Sequence, residues 1–242
     1  MTEENGFKQT EIDSIPEDWG YDRLGNLCRV FSGYAFKSED FVSSGIVVVK
    51  IGNLQNGTLV IDNRTTYFTE NKVSDRHQRF VLHKDDVLIA LTGATTGKIA
   101  VVPPSFDGAL LNQRVGKFEI NSDKLNQLFF RFYALTGSFQ KEIKDNILQS
   151  AQGNVSPQKI ESFEILIPRI WEQKKIAYVL YELHRTIAQQ EKIIAKAKEL
   201  KRSLMHRLFT YGLRGEELKE TEIGLMPESW SAKRLKDVVE KT

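Results

Sequence analysis

The chain has 242 residues, of which 40% are hydrophobic, and a net charge of +2 that points to no class of partner by itself. Its single cysteine, Cys28, excludes a disulfide framework within one chain and suits a reducing compartment. Residues 1–10 are polar and acidic, and eighteen apolar residues nowhere run together. The sequence therefore predicts a soluble, cytoplasmic protein with neither a signal peptide nor a membrane span.

The chain opens and closes on the same motif. Residues 10–19 read Thr-Glu-Ile-Asp-Ser-Ile-Pro-Glu-Asp-Trp, and residues 221–230 read Thr-Glu-Ile-Gly-Leu-Met-Pro-Glu-Ser-Trp, and Arg-Leu follows at 23–24 and at 234–235. The offset is 211 residues throughout, as between Ile12 and Ile223. We interpret this as one complete repeat followed by the opening of a second. Either a longer two-repeat protein has been cut short, or the sequence is a fragment of one.

Residues 1–168 are predicted to form one domain of the α+β (mixed α/β) class. Short apolar runs predict strands at 46–52, 87–91, 98–102 and 114–120. Turns are predicted at Gly52-Asn53, Asn56-Gly57 and Asp107-Gly108.

The second half of this domain is predicted to hold two helices and a strand. Residues 125–143 predict a helix with Asp123 near its N-cap, and its aromatic face is more typical of a core than of a base-stacking platform. Ser156-Pro157 predicts the start of a second helix, with Ser156 as N-cap. A strand follows at 163–167, and Pro168 ends the domain. The aromatic face comprises Phe129, Phe130, Phe132, Tyr133 and Phe139.

Residues 169–209 predict one long helix, free of Gly and Pro. Apolar residues recur at alternating steps of four and three, which is the period of a coiled-coil seam. At 1.5 Å per residue the helix would be about 60 Å long, so it must project from the domain and needs a partner helix. Residues 210–219 are predicted to be a linker, and residues 210–242 together to be this linker and the truncated start of the second repeat. The predicted seam comprises Ile176, Leu180, Leu183, Ile187, Gln190, Ile194, Ala197, Lys201, Leu204 and Leu208, of which Gln190 and Lys201 are polar.

Positive charge is concentrated on this helix. Residues 169–209 hold ten Lys or Arg against four Glu, whereas the remainder of the chain is net negative. The layout suits either the solvated face of a coiled coil or a rod lying beside phosphates, and composition does not choose between them.

No motif of the chain predicts catalysis or metal binding. The segment Thr92–Ile99 resembles a phosphate-binding loop, but it is one residue short between its glycines and has Ile99 where Ser or Thr must reach magnesium. It is better explained as a hairpin turn, with nucleic-acid contact as the alternative. His77, His83, His184 and His206 share no ligand spacing with one another or with Cys28, so no metal is expected.

Several phrases resemble the specificity subunit of Type I restriction-modification systems, in a half-length form. The most specific are the duplicated Pro-Glu-x-Trp and the junction from Pro168 to Ala177, Pro-x-x-x-Glu-Gln-x-x-Ile-Ala. Residues 32–38, 86–90, 111–115 and 152–156 are similar to phrases of the family's target-recognition domains. The resemblance covers essentially the whole chain.

This resemblance implies a target-recognition domain at 1–168 that reads double-stranded DNA, and a spacer helix at 169–209. It implies no catalysis by the chain and no cofactor of its own. Methyltransferase subunits would dock on it and transfer methyl from their S-adenosylmethionine to adenine N6, and motor-nuclease (restriction) subunits would join for cleavage. The usual member carries two recognition domains and two antiparallel helices.

A chain with one domain and one helix is expected to restore that layout as a homodimer, which would read a split palindrome. The second copy of the motif raises the question of which copy occupies the docking place in a dimer, and we expect the first copy to win it. Two other function classes stay open: a recognition fragment of a self-contained methyltransferase-nuclease, and a stand-alone coiled-coil scaffold.

DNA contact is predicted for polar and basic side chains beside glycines on loops, since Arg and Gln read base edges whereas Lys and Thr mostly hold phosphates. The predicted residues are Lys37, Ser38, Arg64, Arg76, Thr92, Thr95, Thr96, Lys98, Gln113, Arg114, Gln152 and Asn154.

Overall fold

The computed structural model describes residues 7–9, 14–148 and 153–238. The chain divides into two compact units, Met1–Leu180 and Tyr181–Thr242, and each is considered by itself. The division falls inside the long helix, so the domain boundary at Pro168 stays a prediction. Within the described ranges, none of the helices combines the length and the hydrophobicity that crossing a bilayer requires. The described strands are β1 (Phe7–Gln9), β2 (Ser14–Pro16), β3 (Gly20–Arg23), β4 (Cys28–Ser32), β5 (Phe41–Val42), β6 (Ile46–Val49), β7 (Leu54–Gln55), β8 (Gly57–Leu59), β9 (Thr66–Phe68), β10 (Val87–Ala90), β11 (Ile99–Val101), β12 (Leu110–Leu111), β13 (Val115–Ile120), β14 (Glu164–Ile167), β15 (Leu218–Thr221) and β16 (Gly224–Pro227). The described α-helices are α1 (Asp75–Gln78), α2 (Gln127–Tyr133), α3 (Gly137–Leu148), α4 (Pro157–Glu161) and α5 (Ile170–Tyr211).

A six-stranded sheet forms the centre of the first unit, in the order β4-β13-β10-β11-β8-β7. All four residues of β10 are buried, because a continuous Val-Leu-Ile-Ala run suits a strand that is covered on both faces. Val87 and Ile89 belong to a core with α2, α3 and α4, whereas Leu88 and Ala90 belong to a core on the opposite face. The period of two along one strand therefore separates the two cores.

Three smaller sheets accompany it in the described part of the unit, one of them formed by β1 and β2. The order β12-β6-β9-β5 gives a four-stranded sheet around a third, smaller core. β14 pairs antiparallel with β3, with Leu166 opposite Tyr21. This pairing joins the strand that precedes α5 to the residues that follow the first Pro-Glu-x-Trp motif.

The single helix predicted at 125–143 is wrong: the segment forms two helices, α2 and α3. α2 ends at Tyr133 and α3 begins at Gly137, whose low helix propensity favours a break. The predicted N-cap is also wrong, because the side chain of Asn126, not Asp123, accepts the N–H of Phe129 at 3.0 Å. Phe129, Phe130 and Phe139 are buried in the core and Tyr133 packs against it, so the prediction that these aromatics form core is confirmed for four of the five. Phe132 is half-buried and lies outside this core.

Other local predictions are confirmed with shorter bounds. β10 and β11 form the predicted antiparallel hairpin. The side chain of Ser156 caps α4 by accepting the N–H of Lys159 at 3.2 Å. The strand predicted at 46–52 ends at Val49, because Ile51–Asn53 turns into a short 3-10 helix.

The long helix and the linker after it also differ slightly from prediction. α5 is one helix of 42 residues, as predicted, and ends two residues later than expected, at Tyr211. The linker prediction for 210–219 is partly wrong, because Tyr211 is helical and Leu218 and Lys219 belong to β15.

The predicted repeat is visible in the backbone. β1 pairs with β2 with Phe7 opposite Pro16, and β15 pairs with β16 with Leu218 opposite Pro227. Both pairs of residues are related by the offset of 211 found in the sequence. The two copies of the motif therefore form the same hairpin in the same register.

Candidate nucleic-acid interface

Four loops meet at one end of the six-stranded sheet, where β10 and β13 adjoin. The N–H of Leu91 donates to the carbonyl of Arg114, and the N–H of Val155 donates to the carbonyl of Leu91, both at 3.0 Å. The N–H of Gln113 donates to the carbonyl of Tyr34 at 2.9 Å, which attaches the loop after β4. Main-chain hydrogen bonds thus hold together segments that lie far apart in the sequence.

These loops enclose an open cleft of about 460 Å³. Its lining brings together a guanidinium, two carboxamides and the side chain of Thr92, whose hydroxyl oxygen is buried without a partner among the described residues, and no carboxylate is among the lining residues. Such groups are donors and mixed donor-acceptors, which suits the edges of bases and the oxygens of a phosphate backbone. The lining residues are Thr92, Gly93, Gln113, Arg114 and Asn154.

Two glycines shape the rim of the cleft. Gly33 lies so close to the backbone of Leu111 and Asn112 that a Cβ would overlap both, so only glycine allows the loop after β4 to approach. Gly93 has φ +86°, and its carbonyl accepts the hydroxyl of Thr96 at 2.6 Å. The loop Thr92–Gly97 is therefore a rigid turn, as predicted, and it presents Thr92 to the cleft.

The cleft gathers four of the residues predicted to contact DNA: Thr92, Gln113, Arg114 and Asn154. Sequence spacing gave no indication that they lie together, because they come from three separate loops. Their contact with DNA remains a prediction.

The remaining predicted residues are dispersed. Lys37 pairs with Glu39 at 3.6 Å, and Arg64 pairs with Asp62 at 2.7 Å, so both cations already have a nearby carboxylate. Arg76 lies 5.9 Å from the ring centre of Tyr34.

The other five predicted residues differ in their surroundings. Ser38 begins a short 3-10 helix, and Lys98 lines a second cleft with Asn56 and Gln140. The hydroxyl of Thr95 is buried without a partner among the described residues, and the hydroxyl of Thr96 is bonded to Gly93. Gln152 lies outside the described residues.

Tyr34 was not singled out by the sequence, yet it fixes one wall of the interface. Its ring packs edge-on against His77 at 4.8 Å and against Phe36 at 4.9 Å between ring centres. The Nδ1 atom of His77 accepts the N–H of Ser74 at 3.1 Å, and burial lowers the pKa of His77. His77 is therefore a packing residue of this aromatic cluster, and its burial disfavours the charged imidazolium.

Gln173 is a second residue whose role the sequence did not reveal. Its side chain is completely buried at the start of α5. The amide oxygen accepts the N–H of Asn126, and the amide nitrogen donates to the carbonyls of Lys124 and Pro168, all at 2.8 Å. With these bonds, Gln173 joins the first turn of α5 to the loop before α2, so it sets the direction in which the helix leaves the domain.

Beyond its first turns, α5 exposes the predicted seam. Leu183, Ile187 and Ile194 are each more than half exposed. Ile176 differs, because it packs against the core of the recognition domain. In the described part of the chain the free seam thus begins near Leu180.

A second apolar row accompanies the seam. Val179, Ile193 and Leu200 each precede a seam position by one residue, and each is more than half exposed. In the heptad these three residues occupy g positions, which flank the a and d positions of the seam. The g positions of a two-stranded coiled coil are usually charged. The apolar stripe of α5 is therefore wider than one partner helix covers.

The described residues contain no group of three or more His, Cys, Asp or Glu side chains arranged to hold a metal ion. Burial, followed by the nearby carboxylate of Glu161, raises the pKa of the Cys28 thiol to about 12. Cys28 is thus an inert core residue rather than a nucleophile.

Comparison with known proteins places these features in a family. The family model described as "Type I restriction modification DNA specificity domain" matches residues 16–199. The specificity subunit of the Type I restriction enzyme MjaVIII of Methanocaldococcus jannaschii is 27% identical over 219 residues, which are 89% of this chain and 51% of that protein. The EcoBI specificity subunit of Escherichia coli is 26% identical over 240 residues, 93% of this chain and 48% of that protein. The chain spans about half the length of these curated relatives.

Solved structures show the same fold at low sequence identity. The HsdS subunit from Thermoanaerobacter tengcongensis matches with a TM-score of 0.52 and 16% identity, covering 86% of this chain and 48% of that one. The Type I restriction-modification S subunit from M. genitalium matches with a TM-score of 0.53 and 18% identity, covering 78% of this chain and 45% of that one. The mixed α/β domain followed by a long helix is therefore a known architecture.

Proposed function

Since the chain belongs to the family of Type I restriction modification DNA specificity domains, we propose that it is the DNA-recognition subunit of a Type I restriction-modification complex and performs no catalysis itself. The observation that carries this proposal is the cleft at the end of the central sheet. It collects an Arg, a Gln, an Asn and a Thr without an opposing carboxylate. Such a set suits the phosphates and base edges of DNA rather than a cationic or apolar ligand.

Arg114 is the residue on which base reading depends most in this proposal. It is exposed, its main chain is fixed by the bond from Leu91, and its guanidinium lines the cleft. An exposed guanidinium on a fixed main chain suits bidentate contact with guanine O6 and N7. Such a contact contributes about 1–3 kcal/mol of discrimination against other bases.

The Arg114→Ala variant tests base reading. It is expected to relax the sequence preference at one base pair while leaving the salt dependence of binding to bulk duplex DNA nearly unchanged. Arg29→Ala is the matched control, because Arg29 is an exposed residue of β4 opposite Glu119 and does not line the cleft. An altered salt slope with an unchanged preference would show that Arg114 holds a phosphate instead.

Two copies are proposed to pair through the seam of α5. An isologous contact across a two-fold axis covers the exposed Leu183, Ile187 and Ile194 of both copies at once. The helix is long enough to hold two recognition domains one duplex turn apart, roughly 34–36 Å. Two identical domains must then read a palindrome interrupted by a spacer.

Sedimentation of a Leu183→Glu variant tests this pairing. A charge at an a/d position is expected to convert the dimer to monomer at micromolar concentration. Tyr178→Glu is the control: Tyr178 is 64% exposed and lies outside both apolar rows. A wild-type chain that sediments as a monomer at every concentration would overturn the pairing.

The second apolar row is proposed to receive the methyltransferase subunits. After the seam is paired, Val179, Ile193 and Leu200 would remain beside it, where a helix of a further subunit can pack. The S-adenosylmethionine would lie on those subunits, and restriction subunits would join the same assembly.

Two other classes make different predictions. A self-contained methyltransferase would transfer a labelled methyl group as an isolated chain, which this proposal excludes. A coiled-coil scaffold without DNA would show no salt-dependent binding to duplex DNA when the methyltransferase partner is present. The polar cleft favours DNA recognition over the scaffold, because a scaffold has no need of it.

A further inference from the structure

The two Pro-Glu-x-Trp copies form hairpins with matching backbones. We call residues 7–9 and 14–19 the first hairpin and residues 218–230 the second hairpin. The N–H of Trp19 donates to the carbonyl of Pro16 at 3.0 Å, and the N–H of Trp230 donates to the carbonyl of Pro227 at 3.0 Å. Together with the shared strand register, this makes the two segments conformational copies.

The second hairpin packs on the C-terminal end of its own helix. A Cβ placed on Gly212 would lie 3.4 Å from the Pro227 ring and 3.7 Å from the Trp230 indole nitrogen. Gly212 itself ends the helix with φ +67°, and its N–H donates to the carbonyl of Leu208 at 3.0 Å. The helix end therefore offers a flat, glycine-lined seat for one proline and one tryptophan.

Two hydrogen bonds complete this seat. The carbonyl of Glu217 accepts the N–H of Glu228, and the carboxylate of Glu216 accepts the N–H of Ser229, both at 3.0 Å. The N–H of Glu216 donates to the carbonyl of Tyr211 at 3.1 Å, which holds the acceptors beside the last helical turn. We call residues 208–217 the helix-end seat.

Every one of these contacts uses a group that the first hairpin also has. Pro16 and Trp19 stand at the positions of Pro227 and Trp230, and Glu17 and Asp18 supply backbone N–H groups like those of Glu228 and Ser229. The groups that contact the seat are thus common to both hairpins, although Ser14 and Ile15 stand where the second hairpin has Leu225 and Met226. The charges differ at three paired positions, since Gln9, Asp13 and Asp18 stand where the second hairpin has Glu220, Gly224 and Ser229. Of these, Asp18 would bring a carboxylate beside Glu216 where Ser229 is neutral.

We propose that the helix-end seat accepts either hairpin, so that in a dimer the first hairpin of one copy competes with the other copy's own second hairpin. This inference rests on the dimerisation proposed above. This reverses the expectation from the sequence that the first copy wins the docking place, because the second hairpin has the advantage of attachment, with an effective concentration on the order of millimolar. It also avoids the repulsion between Asp18 and Glu216. The second hairpin therefore acts as a built-in competitor that limits how tightly two copies associate.

Substitutions that weaken the second hairpin or improve the first should then tighten the dimer. Trp230→Ala removes a side chain from the seat, and Asp18→Ser removes the repulsive carboxylate from the incoming hairpin. Each is expected to lower the dimer dissociation constant several-fold in sedimentation of the full chain. Glu39→Ala, a change at an exposed residue far from both hairpins in the sequence, is the matched control.

A disulfide between copies reports the exchange directly. One copy carries Glu17→Cys and the other carries Glu217→Cys. Glu17 corresponds to Glu228 of the second hairpin, and the N–H of Glu228 donates to the carbonyl of Glu217, so the two cysteines would lie close together when the first hairpin occupies the seat. Cys28 does not interfere, because burial raises its pKa to about 12. A chain with Glu217→Cys and Glu228→Cys together is the positive control, and it should close a disulfide within one chain.

The inference predicts a disulfide between copies that increases several-fold when Trp230→Ala is added to the copy carrying Glu217→Cys. The background is the cross-link yield of a Glu39→Cys and Glu217→Cys pair. If the protein sediments as a dimer but the Glu17→Cys and Glu217→Cys pair cross-links no more than this background, the competition is overturned and the proposed dimer stands. A chain that stays monomeric in every variant would overturn both.

Discussion

The two copies of the repeat motif adopt one backbone in two different surroundings. Leu24 and Leu27 are fully buried in the core, whereas their counterparts Leu235 and Val238 are 79% and 63% exposed. Both copies nevertheless continue into a 3-10 helix, at Leu24–Asn26 and Leu235–Asp237. The local sequence is therefore sufficient to set the backbone, while burial depends on which other elements the chain supplies.

The surroundings of the first copy show what the second lacks. β3 pairs with β14, and the N–H of Leu24 donates to the carbonyl of Phe163 at 2.7 Å. Trp19 donates its indole N–H to the carboxylate of Glu172 at 3.2 Å. Residues 231–234, which are the counterparts of β3, pair with no strand in the described part of the chain. The first copy thus continues into a core at Leu24 and Leu27, whereas the second buries Met226 and Pro227 but leaves Leu235 and Val238 exposed.

The contrast between the two copies is tested most strongly by replacing the equivalent leucine in each copy with alanine. Leu24→Ala leaves a cavity in the core and should lower the free energy of unfolding by ~3 kcal/mol. Leu235→Ala removes an exposed side chain and should change the free energy of unfolding by less than about 0.5 kcal/mol. Urea denaturation of both variants measures the difference, and equal losses would mean that the second copy is buried in solution.

A smaller contrast is expected at the tryptophans. Trp19→Phe keeps the ring packing but removes the N–H that reaches Glu172, so it should cost ~1 kcal/mol of unfolding free energy. Trp230→Phe is the matched variant and should cost less, because the indole N–H of Trp230 has no hydrogen-bond acceptor among the described residues, whereas that of Trp19 has Glu172. A larger loss at Trp230 than at Trp19 would reverse the ranking of the two hairpins.

The smallest expected effect is at Glu142 on α3, which interacts with Glu164 on β14, the strand that pairs with β3 of the first copy. Burial, followed by the charge of Glu164 on β14, raises the pKa of Glu142 to about 6, and Lys159 opposes the shift. Protonated Glu142 favours the folded state, so this contribution is complete below pH 4.5 and is lost as the pH rises through about 6. Because Glu142 is only half-buried, solvent screening limits the effect to ~1 kcal/mol.

Glu142→Gln should therefore stabilise the chain at pH 7.5 and lose this advantage below pH 4.5. Thermal unfolding of the two proteins across this pH range checks the sign. A variant that is less stable than the parent at pH 7.5 would show that the charged carboxylate is favourable in the fold.

How far the sequence predicted the molecule depends on the range of the interactions involved. The repeat, the hairpin at β10 and β11 and the Ser156 cap follow from neighbouring residues, and the structure confirms them. The break between α2 and α3 was missed because the aromatic periodicity continues across Gly137. Periodicity records which residues are buried, and it does so even where the backbone changes direction.

The sequence predicted several residues of the candidate site, but it did not predict that they lie together. Arg114 and Asn154 were selected for their chemistry and their glycine neighbours, yet only the main-chain bonds through Leu91 bring them to one cleft. Gln173 escaped notice because its three bonds reach backbone atoms that no side-chain pattern reveals. Backbone pairing between distant segments cannot be read from a single sequence.

The central claim, that paired helices place two identical readers on one duplex, is tested most directly by the modified site itself. The chain is co-expressed with its methyltransferase subunit in a host without adenine methylation, and the modified adenines are mapped across the genome. The account predicts a palindromic motif of two equal half-sites separated by a fixed, unspecified spacer. An asymmetric motif, or one continuous unsplit site, would contradict it.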